Sequence, residues 1–183
     1  ILIRKAIYGE IMPFTPFHLG PGLLLGLLAL RWLDLPTVLL ASVLVDVRTS
    51  LVFFGLLSGP LHGPFHTFLG SAFLATVLIA AIVPVRSALD FVLEWLRLQQ
   101  APSTKRIIAG AFVGVWLHVI LDAILYTDMS PLAPFPGNPL LGQISVTAVY
   151  VGCLVAGGFG VVLYVLAASG LVQLFPLPNT SSN

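Results

Sequence analysis

Five stretches of this chain, residues 17–33, 35–57, 66–83, 107–127 and 144–175, are apolar almost throughout. A helix rises about 1.5 Å per residue, so roughly 20 apolar residues cross the hydrocarbon of a bilayer. A chain with several such runs has few alternatives to a bundle of membrane-spanning helices, because lipid offers no partner to an open backbone. Composition agrees: 58% of the 183 residues are hydrophobic and 8% are charged, against about 25% charged in an ordinary soluble domain. The expected fold class is all-α. The expected architecture is a multi-pass bundle of roughly four to five spans, with residues 1–183 forming one integral domain of the cell membrane.

The runs differ in character. The first is short and carries Gly20, Pro21, Gly22 and Gly26, so a tilted, broken or partly inserted helix is expected. The second opens with Pro36 in its first turn, where a missing N–H costs nothing, and contains Asp46 and Arg48. The third follows the loop "SGPLHGPFH" and is expected to stop at Pro84. The fifth carries Gly157, Gly158 and Gly160, which permit close helix contact. Residues 86–100, "RSALDFVLEWLRLQQ", put Leu89, Val92, Trp95 and Leu96 on one face and Arg86, Asp90, Glu94 and Arg97 on another. That pattern predicts an amphipathic helix lying on the membrane surface. Residues 128–143 form a proline-rich loop too broken to face lipid, and 176–183 a tail. Residues 1–12 read as an N-terminal extension without the uninterrupted apolar core of a signal peptide, Met12 being the expected usual start.

Net charge is +1, which gives no electrostatic case for nucleic acid. The expected partners are membrane lipids and other membrane protein subunits. The single Cys153 has no second cysteine to pair with and reads as packing. Arg86, Arg97, Lys105 and Arg106 cluster between the third and fourth runs and mark that connection as cytoplasmic, with Arg31 on the same side; Arg4 and Lys5 run against this orientation. The loops at 58–65 and 128–143, and the start of the first run, then fall on the extracytoplasmic face.

All four histidines, His18, His62, His66 and His118, map to or near that face. In "GVWLHVILDAILY", residues 114–126, His118 sits about nine residues, or roughly 13 Å, below the outer end of its run. Asp122 follows one turn higher on the same face, and Asp46 reaches a depth similar to His118. Neutral imidazole and carboxylate are ordinary ligands of Zn²⁺ and similar divalent ions, and an i, i+4 pair points two ligands at one ion. Such an ion would also offset the cost of burying an acid in lipid, about 2.5–3.5 kcal/mol at the centre of a span. With an open position it lowers the pKa of bound water and polarises an ester or phosphoryl oxygen. The chemistry implied is metal-assisted hydrolysis, with His18, His66, His118 and Asp122 as metal ligands, Asp46 as a further ligand or the base, and His62 contacting substrate or backing the ligands.

A structural alternative stands beside this one: Arg48 pairs with Asp122, and the polar set merely neutralises itself. Trp32, Trp95 and Tyr126 read as interfacial anchors, Asp34 as a helix N-cap, and Asp128 as the cap of the fourth run or part of the outer loop.

The motifs "MPFTPFHLGPGLLLG", "ASVLVDV", "LHGPFHTFLG" and "HVILDAILYTDMSPLAPFPGNPLLG" occur in order from Met12 to Gly142. Together they resemble the membrane-bound metal-dependent hydrolases of the YdjM-like group, and more closely their uncharacterised archaeal relatives. The resemblance implies an early histidine (His18), an aspartate ending the second apolar run (Asp46), a histidine-rich motif before the third helix (His62, His66) and an H-x-x-x-D helix (His118, Asp122). Two departures stand out: "DVRTS" puts Arg48 where the family carries a second acid, and His62 and His66 are four rather than five apart. The function expected is that of an integral membrane metal-dependent hydrolase, acting on a lipid or other amphiphilic ester or phosphoester. The competing reading is a noncatalytic subunit of a larger membrane assembly. A small transporter ranks behind both for want of an inverted repeat.

Overall fold

A computed structural model describes residues 16–97 and 100–172. Its helices are α1 (Pro16–Leu28), α2 (Leu35–Leu44), α3 (Asp46–Phe53), α4 (Phe68–Val85), α5 (Asp90–Trp95), α6 (Thr104–Leu125) and α7 (Val146–Ala168), with 3-10 turns at Pro64–His66 and Arg86–Leu89. The described residues form no strand. Four helical stretches are long and apolar enough to cross a membrane: Leu35–Phe53, Phe68–Trp95, Thr104–Leu125 and Val146–Ala168, with a shorter apolar helix at Phe17–Leu28. The chain is thus an all-helical protein built for a multi-pass place in the bilayer.

Local chemistry sets the helix ends. Asp34 caps α2, its Oδ2 accepting from the Thr37 N–H and, at 2.6 Å, from the Thr37 hydroxyl. Thr67 caps α4 by accepting from the Gly70 N–H, and Ser145 caps α7 by accepting from the Ala148 N–H. Helix α3 ends at Phe53, short of the expected 57, because the chain turns at Gly55 with φ +74°. Gly170, with φ +78°, follows the end of α7 in the same way. The expected end of that run near 175, the tail and the N-terminal extension lie outside the described residues.

Helix α6 is the centre of the bundle, packed against α2 on one side and α4 on another, while α1 lies between α2 and α7. Lipid tails are as apolar as leucine, so helices associate in membranes through close van der Waals fit and small residues. Gly114 shows this directly: a Cβ there would stand 2.6 Å from the Val38 carbonyl oxygen and 2.5 Å from Ala41 Cβ. Ala41, Val45, Ala75, Ala111 and Val115 fill the adjoining core. Gly20 plays the same part for α1, meeting the Cys153 carbonyl and Gly157 of α7. The glycines of the first run therefore serve close packing and do not break the helix, which ends instead in the turn at 29–33 ahead of Asp34.

The region from Arg86 to Trp95 departs from expectation. Helix α4 ends at Val85, one residue past Pro84, and the chain continues through the Arg86–Leu89 3-10 turn into α5, ending at Trp95. Arg86 is not on an exposed polar face. It is 1% exposed, with Nε donating to Asp34 Oδ1 at 2.9 Å, Nη1 to Asp90 Oδ1 at 2.7 Å and Nη2 to the Gln100 carbonyl at 3.1 Å. Gln100 completes the knot: its amide donates to the Leu30 and Leu33 carbonyls, and its oxygen accepts from the Leu35 N–H. Leu93 is the buried apolar residue of α5, whereas Phe91 and Trp95 are exposed. The arginine's partner lies 52 residues away, which turns the segment over relative to its own amphipathic pattern.

Candidate metal centre

At the opposite end of α6 from Thr104, five polar side chains converge. His118 and Asp122 come from successive turns of α6, and Asp46 from the first turn of α3, directly after the α2–α3 joint at Val45. His66 comes from the 3-10 turn held by Pro64, and His18 from the first turns of α1. All five are buried.

Four of them form a compact set. His66 Nε2 lies 3.4 Å from Asp46 Oδ1 and 3.6 Å from Asp122 Oδ2. His118 Nε2 lies 3.5 Å from Asp46 Oδ1 and 3.1 Å from Asp122 Oδ2. The four donor atoms are all within 4.8 Å of one another. Ligands held at 2.0–2.2 Å around a tetrahedral ion stand about 3.3–3.6 Å apart, close to these separations.

The hydrogen bonds sharpen the point. His118 Nδ1 donates to the Ser42 carbonyl at 2.8 Å; a carbonyl only accepts, so Nδ1 carries the proton and the neutral ring presents a bare Nε2 to the cluster. Both Nε2 atoms, of His66 and His118, are buried without a hydrogen-bond partner. In the neutral ring His118 Nε2 thus faces carboxylate oxygens, which also only accept, an arrangement that a cation between them would satisfy. Among the described residues no lysine or arginine pairs with Asp46 or Asp122. Burial pushes the His66 imidazole below its ordinary pKa against the opposing pull of its Asp46 contact, which favours the neutral ring a metal needs.

His18, expected as a ligand, stands just outside the four. Its Nε2 donates to Asp122 Oδ1 at 3.0 Å, and its ring stacks on His118 with centroids 3.9 Å apart. It therefore orients the carboxylate whose other oxygen faces the cluster. His62 also lies beside the set, its ring 4.9 Å from that of His66. Its Nδ1 donates to Asp128 Oδ1 at 2.7 Å, which leaves Nε2 as the acceptor nitrogen in the neutral ring.

Arg48 does not pair with Asp122. Its Nη1 donates to the Pro60 carbonyl at 2.8 Å, and the guanidinium lies against Gly59 and Gly63 in the loop that carries His62 and His66. Tyr126, expected as an interfacial anchor, packs its ring on His62 at 4.1 Å and buries its hydroxyl. Ser42, Tyr126 and Asp128 were missing from the expected site. A signal existed for Tyr126, which continues the four-residue spacing of His118 and Asp122. None existed for the Ser42 carbonyl.

Phe68, Ile120, Pro131, Leu132, Pro139 and Leu140 line a wholly apolar cleft of about 280 Å³ that includes none of the cluster residues. The loop that roofs it is pinned down: the Phe68 N–H donates to the Pro131 carbonyl, the Gly142 N–H to the Ile124 carbonyl, and Asn138 Nδ2 to the Ala123 carbonyl.

Fold and site together define a helical membrane protein with a buried Asp–His–His–Asp cluster able to hold a metal ion. Comparison with family models, curated proteins and solved structures returned no match to this chain.

Proposed function

We propose that the protein is an integral membrane metal-dependent hydrolase of the kind its motifs resemble, acting on a lipid or other amphiphilic ester or phosphoester at the extracytoplasmic surface. The observation that carries this reading is the set of four donor atoms at 3.1–3.6 Å across two imidazoles and two carboxylates, with both imidazole nitrogens lacking a partner. Asp46, His66, His118 and Asp122 would hold the ion, and two nitrogen and two oxygen donors suit Zn²⁺. A divalent ion here would supply Lewis acidity toward an ester or phosphoryl oxygen and lower the pKa of water.

The protein's own groups do the rest. His18 fixes Asp122, and the Ser42 carbonyl fixes the tautomer of His118. His62, oriented by Asp128, offers Nε2 to take a proton from the attacking water and return it to the leaving group. Orientation rests on Arg86, Arg97, Lys105 and Arg106, which gather at the end of the bundle away from the cluster.

The test is metal analysis of protein purified without chelator, coupled to hydrolysis of short-chain ester and phosphoester amphiphiles. One divalent ion per chain is expected, lost when His118 and Asp122 are replaced together; metal-free protein that cannot be reloaded would sink the reading. A second reading, a noncatalytic subunit, draws on α7, whose Gly152 and Gly158 have nothing within 4 Å and whose Leu154, Phe159 and Val162 are exposed. Purification as a lone monomer in mild detergent would count against it.

A further inference from the structure

We propose that Arg48 is a positioning residue of the metal centre: its guanidinium ties the loop that delivers His66 to the helix that delivers Asp46, and so holds those two donors at ligand spacing. The inference rests on the metal reading above and extends it to a residue outside the donor set.

Asp46 opens α3, and Arg48 and Thr49 follow it on the same short helix. Arg48 Nη1 donates to the Pro60 carbonyl at 2.8 Å, and Thr49 Oγ1 to the Leu61 carbonyl at 3.1 Å. Two consecutive residues of α3 therefore hold two consecutive carbonyls of the loop. The guanidinium also lies against Gly63, where an added Cβ would collide with it. Gly63 has φ −92° in an extended conformation open to any residue, so what the glycine supplies there is room. From Gly63 the chain enters the Pro64–His66 turn directly, the Gly63 carbonyl accepting from the His66 N–H at 3.0 Å. His66 Nε2 then stands 3.4 Å from Asp46 Oδ1. The path from Asp46 through α3, Arg48 and Gly63 to His66 closes on itself.

No carboxylate pairs with Arg48 among the described residues, so its fixed contacts are those to the loop. A planar fork of donors suits this place, since it can lie flat on a glycine while one N–H meets a carbonyl. The loop has two further restraints: His62 is bonded to Asp128, and Phe65 packs against the Ala41–Val45–Ala75–Ala111–Val115 core. Loss of Arg48 should therefore shift the turn and not unfold it. A shift is enough, because a working constellation has to be held within about 0.5 Å.

The test measures Co²⁺ affinity of the full chain in detergent by visible absorption. His66→Ala is expected to weaken binding and alter the spectrum, as one nitrogen donor is lost. Arg48→Met, which keeps an unbranched stem, is expected to bind Co²⁺ about tenfold more weakly, the low end of the cost of removing a group that orients a ligand, with the unfolding temperature of the metal-free protein unchanged. Arg48→Lys, which can still donate to the Pro60 carbonyl, should recover part of the loss. Gly63→Ala, which displaces the guanidinium from the loop side, should reproduce Arg48→Met and serves in its place if that variant does not fold. In a His66→Ala background Arg48→Met should add no further loss, because residues that act as a unit are not additive. Wild-type affinity in Arg48→Met, or a second tenfold loss in the His66→Ala background, overturns the proposal while leaving the metal reading intact. Failure of wild type to take up metal removes that reading itself, and the inference falls with it.

Discussion

The two ends of the bundle each bury a cluster of charged and polar side chains, and they are built to opposite ends. Around Arg86, the Asp34 carboxylate receives the guanidinium and a threonine hydroxyl, Gln100 uses both ends of its amide, and Asp90 takes the remaining charge-assisted bond. Around His118 the contacts are close, yet the Nε2 atoms of His66 and His118 have no hydrogen-bond partner. Burial alone does not separate a structural clasp from a site. Completeness of bonding does, because a finished network has nothing left to offer a ligand.

Replacements at the two ends should break in different ways. The largest loss of stability is expected from Arg86→Ala, which strands Asp34 in the interior: about 3–5 kcal/mol, read as a fall in thermal unfolding temperature in detergent, with or without metal. Gly114→Val, forcing a side chain between α6 and α2, should cost about 1–3 kcal/mol and also lower metal occupancy, because it spreads the helices that bring Asp46 to His118. Replacing His118 and Asp122 together by leucine should cost the metal-free protein less than Arg86→Ala, since it removes a contacting buried pair at once, although Asp46 and His18 each lose a neighbour. It should abolish metal uptake and the stabilisation metal gives wild type; a collapse on the scale of Arg86→Ala would make the cluster a second clasp. Asp128→Asn is expected to leave stability and metal content unchanged and to lower hydrolysis about tenfold by freeing His62.

Acidity should also separate the two ends. Ligands must shed protons to hold metal, so occupancy should fall as pH drops. His66 has its pKa lowered by burial, so its ring stays neutral until the acid side of its ordinary value and contributes to metal loss only there. Metal content titrated from pH 8 to 5, against unfolding temperature of the metal-free protein over the same range, would check this; parallel curves would contradict it.

Much of this was legible in the sequence. Apolar runs of bilayer length announced the helices, because lipid forces each backbone to bond within itself. His118 and Asp122 could be paired from spacing alone, and Asp46 and His66 joined them once depths were compared. What stayed hidden depended on partners far along the chain. Helix α4 ends one residue past Pro84 as the proline suggested, but nothing local told that the next residue, Arg86, is buried against Asp34, 52 residues away. His18 was placed at the right end but in the wrong rank, since nothing in "PFHLG" says whether an imidazole meets an ion or the aspartate beside it. Tyr126 looked like an anchor because aromatic residues at helix ends usually are; the ring of His62 and the depth of Asp122 turned it inward.

The contact at Gly114 lies one helical turn before His118, and its counterpart Ala41 lies next to Ser42, whose carbonyl steadies the same histidine. His118 and Asp122 therefore lie on one side of this contact, and Asp46 opens α3 two residues after α2, the helix on the other side, ends. When the surrounding bilayer thins or thickens, helices respond mainly by tilting, and a pair in such contact tilts as a single strut. The spacing between Asp46, His118 and Asp122 is then insulated from the lipid. His66, carried by the Pro64–His66 turn, is the donor outside that contact.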